Sequence, residues 1–497
     1  LTVSLGAGRF HAAPSELFTA SVVQPMLNAE LAAFEQYVDV DCAHTVMLVE
    51  QGVLDRPTGA LILRGLESIR AIGRERFPLE ADDTLLVQFE AFLTREIGER
   101  AAGAMHTGRS RNDQMAAAYR LRTRDELIGV LEALAELQDA CLSVARRTVR
   151  TLIPGFTHLQ HAQPISMAHY LLRHMGIFER DQQRLEETFA RVNLNSLGGA
   201  AMAGTSWPLD RDRTAALLGF GAVIENSIDA GIFNTDYPAE VAAGLALAVT
   251  NLGRIAADLY IWSTTEFGLI EVADEFAGTS SIMPQKKNPE PFERVIALAG
   301  VAAGWPASAL GVVRGVTSSD LGHGFVGSDL PDMAAPTASA ARLLAATLET
   351  MQIRDDRGRQ LVTDDWSTAS ALADLIVKAT DLSFRQAHQI VGRTVRNALT
   401  EEIRPSDVDA AYVSRAAGEV LGIELELADA DIRRALDPDE FIASRTTVGS
   451  PNSDQVTRAL DNAVARQRKH RDWLRTVTHQ RDQARAELER QVATLVT

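Results

Sequence analysis

From Leu127 the apolar positions run Leu127, Val130, Leu134, Leu137, Cys141 and Val144. The 3,4,3,4,3 spacing puts all six on one stripe of a long helix, the geometry of a bundle seam. Segments 166–193, 238–266 and 290–312 are also long, Ala/Leu-rich and nearly free of turn residues. Alternating apolar and polar runs bounded by turns are scarce, so the chain reads as all-α. Helices with apolar residues on more than one side bury both sides, which predicts an oligomeric bundle. The most apolar stretch, Ala242 to Trp262, carries Arg254 and Asp258 and reads as a buried helix, not a membrane span.

Turn-rich segments interrupt this pattern at 103–112, 152–158, 196–208, 274–289 and 315–331. A composition shift at 352–366 predicts a boundary. The expected domains are an N-terminal helical domain (1–108), a central long-helix bundle (109–352) and a C-terminal helical domain (353–497) ending in a charged extension. From about residue 466 that extension reads RQRKHRDWLRTVTHQRDQARAELERQ, expected to be the solvated face of a terminal helix.

Charge narrows the function. The 497 residues carry 49 Lys plus Arg against 66 Asp plus Glu, a net charge of −17. Nucleic acid and anionic membranes need a basic footprint, so neither is expected as a partner. Small anions remain open, because a few clustered cations reverse the field locally. Cys42 and Cys141 are the only cysteines, too few for a disulfide framework or a zinc site. With no charged and apolar leader at the start, the chain is expected to be cytoplasmic.

Three loops carry candidate chemistry. In GTSSIMPQKKNP, 278–289, small residues with free amides precede two lysines and an asparagine, and a helix follows from about Glu290. Amides, hydroxyls, an ammonium and a helix start together cradle carboxylate oxygens. In MHTGRSRNDQ, 105–114, Arg111 supplies a fork for a carboxylate, while Ser110 and Asn112 either complete its hydrogen bonds or cap the helix. In IPGFTHLQHAQP, 153–164, Thr157 and His158 are offered.

In order and spacing, HTGRSRND, PGFTHLQHAQP and GTSSIMPQKKNP resemble the three signature regions of the aspartase/fumarase superfamily, most of all its argininosuccinate lyase branch. GAGRF near the start, LGGAAMAGTSWPLDRD at 197–212 and SFRQAHQIVGR at 383–393 are similar to that branch as well. The resemblance implies a three-domain all-α fold and a homotetramer with a core of twenty helices. It also implies active sites where three subunits meet, each contributing one signature loop. The reaction it implies is reversible release of fumarate from a succinyl compound, with no metal or organic cofactor. By the same resemblance Ser280 is the base, and Lys286, His158 and Glu293 complete the catalytic set, with Glu293 placed to pair with His158. Substrate contacts fall to Ser110, Arg111, Asn112, Thr157, Ser281, Met283, Asn288 and Gln88. The proton removed is very weakly acidic, and its loss makes a doubly negative aci-carboxylate. Preorganised donors must hold that charge, at ~3–4 kcal/mol each.

Four places depart from the branch, all on the side that holds the amine. They are Tyr37-Val38-Asp39-Val40-Asp41, the pair Leu86 and Gln88, Phe233-Asn234-Thr235-Asp236, and Thr317 through Gly324. The tyrosine and glutamine that hold the arginine part are missing. The pattern most resembles the ethylenediamine-disuccinate lyases, which act on aminopolycarboxylates. Asp39 and Asp41 are candidates to face a diamine's ammonium, with solvated helix acids as the alternative. Authentic argininosuccinate lyase and a non-enzymatic structural homologue are the competing readings.

Overall fold

The computed structural model describes residues 14–79, 83–231, 236–315 and 329–497. The GAGRF segment, Phe233 to Thr235 and Thr317 to Gly324 lie outside the described residues.

The seam helix spans Arg111–Arg147. Ser110 caps it in a reciprocal box with Asp113, and Arg146 and Arg147 in its last turn complement the helix dipole. All six stripe residues are buried, and so are Ile128, Leu131, Ala135 and Leu142 on other faces. Burial on several sides follows from its neighbours: Met167–Val192, Leu330–Thr350 and the terminal helix Ser453–Val496 all pack against it. Asp236–Trp262 lies against Met167–Val192 on one side and Glu290–Ala302 on another. The expected helix over 290–312 breaks in two, because Pro306 cannot donate a backbone hydrogen bond and opens a new helix, Trp305–Val313.

The N-terminal helices Phe34–Glu50, Arg56–Ile72 and Leu85–Ile97 share one continuous apolar core with the bundle. A separate cluster, Leu372 to Leu436, forms the core of the C-terminal helices. The terminal helix does not belong to it. Val456, Leu460, Ala463, Leu474, Leu488 and Val492 enter the main core, and the ring of Trp473 meets Phe189 edge-on at 5.3 Å. The terminal helix thus packs on the bundle with its apolar face and leaves its charged residues to solvent. Its apolar residues are diluted among arginines, yet they recur on one face.

The segment around 152–158 is not a simple loop. Leu152–Thr157 and Gln160–Ser166 pair as an antiparallel hairpin. Prolines 154 and 164 face each other across it, so the alternation that marks a strand is absent from its sequence. Segment 352–366, expected as a boundary, carries secondary structure of its own. Gln352–Ile353 pairs with Ile270–Glu271, and Asp355–Thr363 is helical.

Candidate active site

The first loop is built around a buried carboxylate. Asp113 Oδ1 accepts from the Ser110 amide at 2.9 Å, and its Oδ2 accepts from Gly198 and Ala200 at 2.9 and 3.0 Å. Burial pushes this carboxyl up to about 6, against the pull of those three amides. Asp113 therefore ties the LGGAA segment to the helix start. In the sequence only its S-x-x-D spacing after Ser110, a capping signal, marks this residue. Ser110 Oγ accepts from the Asn112 amide at 3.2 Å, so capping is one of its jobs. Arg111 and Asn112 are half-buried beside it.

The helix Phe34–Glu50 clamps this loop from behind. Arg109 pairs with Asp41 at 2.6 Å, and His44 Nε2 lies 2.9 Å from the Thr107 carbonyl oxygen. Asp39 pairs with Arg70 at 2.7 Å. Both acids have internal cationic partners, which overturns the expectation that they face a substrate ammonium. Gln88 is 1% exposed, inside the N-terminal core, with its Nε2 donating to the Asp83 carbonyl at 3.3 Å.

The second loop is the tip of the hairpin. Thr157 pairs with Gln160, leaving His158 and Leu159 as a two-residue turn. Both have positive φ, 56° and 58°. A turn of this kind suits Asn-Gly; a left-handed L-residue costs ~1–2 kcal/mol. The strain holds an exposed imidazole at the apex of a firmly anchored stem. Phe156 packs on Trp262 and Phe267, and His161 Nδ1 lies 2.8 Å from Asp365.

The third loop is closed by Gly278–Thr279 pairing with Lys287–Asn288. The Glu290 carboxylate lies against Gly278, so a side chain at 278 would push that exposed glutamate aside. Inside the loop, Ser280 Oγ accepts from the Met283 amide at 3.0 Å and the Ile282 amide at 3.4 Å. Two N–H dipoles aimed at one hydroxyl oxygen favour negative charge on it. Ser281, Met283 and Lys286 are exposed. Lys287, next to Lys286, is held by Glu271 at 3.1 Å and Asp274 at 2.6 Å. A cavity of about 730 Å³ opens at the base of the loop, lined by Lys286, Asn288, Glu293 and Tyr260 among others. Glu293 Oε1 accepts from Tyr260 Oη at 3.0 Å, so within one chain its partner is Tyr260 and not His158.

The first loop does not meet the other two in one chain. The 37-residue helix between the first loop and the hairpin is ~55 Å long at 1.5 Å per residue. The hairpin and the third loop lie toward the other end, where Trp262 and Phe267 meet Phe156.

Comparison with known proteins decides the family. A lyase family model matches residues 8–304, and an argininosuccinate lyase C-terminal model matches residues 366–443. The argininosuccinate lyase of Methanosarcina barkeri is 37% identical over 486 residues, covering 97% of this chain and 96% of that one. The chain belongs to the argininosuccinate lyase branch of the aspartase/fumarase superfamily. The argininosuccinate lyase of Methanothermobacter thermautotrophicus is 35% identical over 463 residues, 92% of this lyase and 98% of the relative. Among solved structures, an EDDS lyase variant with bound fumarate superimposes with a TM-score of 0.87 at 32% identity, covering 98% of this lyase and 97% of that chain. EDDS lyase in complex with formate gives the same TM-score and identity, over 98% and 96%. The 3-carboxy-cis,cis-muconate lactonizing enzyme of Pseudomonas putida, at 21% identity and a TM-score of 0.70, shares the fold.

Proposed function

We propose that this carbon–nitrogen lyase eliminates fumarate from an N-substituted aspartate whose amine is not arginine, an aminopolycarboxylate such as ethylenediamine-disuccinate. The observation that carries the reading is the seat of Ser280, whose Oγ takes two loop amides. A free serine is a poor base. Those amides and the Lys286 ammonium favour its alkoxide, which removes the proton from the carbon next to a substrate carboxylate. The electron pair moves into that carboxylate, giving the aci-carboxylate held by Lys286, Asn288 and Thr157 together with Ser110, Arg111 and Asn112. Its collapse forms the fumarate double bond and breaks the carbon–nitrogen bond, and the amine leaves with a proton.

A site of this composition needs more than one copy of the chain, because ~55 Å of helix separates the first loop from the hairpin. In the homotetramer proposed here, Glu293 and His158 of different subunits come together. Support comes from the helices that would pack between copies. Val301 is 64% exposed and Leu310 59%, in a stretch, Glu290–Val313, apolar enough by length and composition to cross a membrane. A neighbouring chain is the cover that a bundle offers such a face. The buried thiols of Cys42 and Cys141 suit a reducing cytoplasm.

The amine assignment rests on the sequence departures at Leu86 and Gln88 and on the likeness to EDDS lyase. The argininosuccinate reading is favoured by the names of the sequence relatives. Fumarate absorbance, followed with argininosuccinate and with N-succinyl diamines in parallel, separates them. Turnover of argininosuccinate at kcat/KM above ~10⁴ M⁻¹ s⁻¹, with none on the diamines, overturns the amine assignment.

A further inference from the structure

One basic run of the sequence has no part in the reaction: RQRKHRDWLR, residues 466–475 of the terminal helix. Its residues 464, 467, 468, 471 and 475 follow the i, i+3, i+4, i+7, i+11 rule and share one face. Against them lie Asp139, Leu142, Ser143 and Arg146 of the seam helix, again one face. Between the two faces is a groove of about 520 Å³.

Arg146, Arg468, Arg471 and Arg475 line this groove against a single acid, Asp139. That acid is spent, since Arg471 pairs with it and Gln467 Nε2 donates to it at 2.6 Å. Arg475 pairs with Asp472. Ser143 Oγ donates to Glu349, which Arg147 also holds. No ion-pair or hydrogen-bond partner falls to Arg146 or Arg468 among the described residues. The lining thus has a surplus of three positive charges, or two when Asp472 is counted, on a chain whose net charge is −17. Gathering like charges in one concavity is unfavourable unless an anion joins them, and guanidinium forks match carboxylate and phosphate oxygens.

We propose that this groove binds a small multivalent anion, a polycarboxylate or a phosphate compound, at a site separate from the signature loops. Arg146 and Arg468 face the ligand from opposite walls, and Ser143 sits between them on the floor. The anion cross-links the terminal helix to the seam helix.

Isothermal titration of the full chain at low ionic strength, with citrate in one arm and inorganic pyrophosphate in the other, tests this. One ion per chain is expected, and the tighter arm names the source of the ligand. Arg146→Ala with Arg468→Ala raises Kd at least tenfold, whereas Lys286→Ala leaves it unchanged. The pair Arg146→Lys and Arg468→Lys keeps the charge without the fork, retains the fold if the alanine pair does not, and binds more weakly than wild type. Absence of binding in both arms, displacement by equal concentrations of chloride, insensitivity to the arginine substitutions, or loss of binding with Lys286→Ala would each overturn the proposal. These outcomes leave the reaction assignment untouched, because they are read without turnover.

Discussion

Asp41 and Arg109 form an ion pair at 2.6 Å from which solvent is excluded on both sides. Gln114 donates to the same carboxylate at 2.6 Å, so one acid joins the helix Phe34–Glu50 to both the first signature loop and the seam helix. This relationship removes Asp41 from the substrate. Replacing it leaves a guanidinium buried without its counter-charge. Asp41→Ala is expected to destabilise the chain by ~3–5 kcal/mol, measured as a lower urea midpoint. A raised KM at unchanged stability would return Asp41 to the amine pocket.

The amide seat of Ser280 gives a sharper expectation. Ser280→Ala lowers kcat by at least ~10³-fold with the thermal midpoint unchanged, since the loop is closed by the pairing of 278–279 with 287–288 and not by that hydroxyl. Lys286→Met costs ~10²–10³ in kcat. Single-turnover fumarate release is the measurement. A Ser280→Ala variant with wild-type turnover removes this serine from the base role.

His158 and Leu159 separate function from strain. Leu159→Gly relieves a left-handed backbone position and raises stability by up to ~1 kcal/mol, offset in part by the freedom glycine gains when unfolded. His158→Asn keeps the turn, because asparagine tolerates that region, while fumarate release falls. Paired urea melts and initial rates check both. If both variants left the rate unchanged, the hairpin tip would have no part in the reaction.

His174 sets an acid limb. Its side chain is fully buried against Tyr170 and Phe178, and burial pulls it down to about 3, with Arg173 and Arg254 pushing the same way. The folded state holds the neutral ring while the unfolded chain takes up a proton near pH 6.5. Its contribution is therefore complete above that pH and is lost as pH falls toward 3. His174→Gln should flatten the limb by about 2–3 kcal/mol between pH 6 and 4. Glu30, which burial pushes up to about 7, and Asp113 run in the opposite sense, so the measurement is the difference between variant and wild type.

Much of this protein is legible in its sequence. The stripe from Leu127 to Val144 has the helical period, and the side chains that create it are the ones buried. The three loop motifs carry the family because they are read from residue types in order and spacing, which do not depend on the register of the core. The hairpin was hidden because its prolines erase the period of two, and the packing of the terminal helix because its core residues are spaced among arginines.

Only the tertiary structure could decide which charges are free. Asp39 and Asp41 read as pocket candidates or solvated acids in one dimension, yet Arg70 and Arg109 neutralise them, as Glu271 and Asp274 neutralise Lys287, across separations that no local pattern encodes. The same holds for distance. Sequence order places three loops in a row, whereas a 37-residue helix with a fixed rise holds the first of them ~55 Å from the hairpin and makes a shared site a matter of assembly.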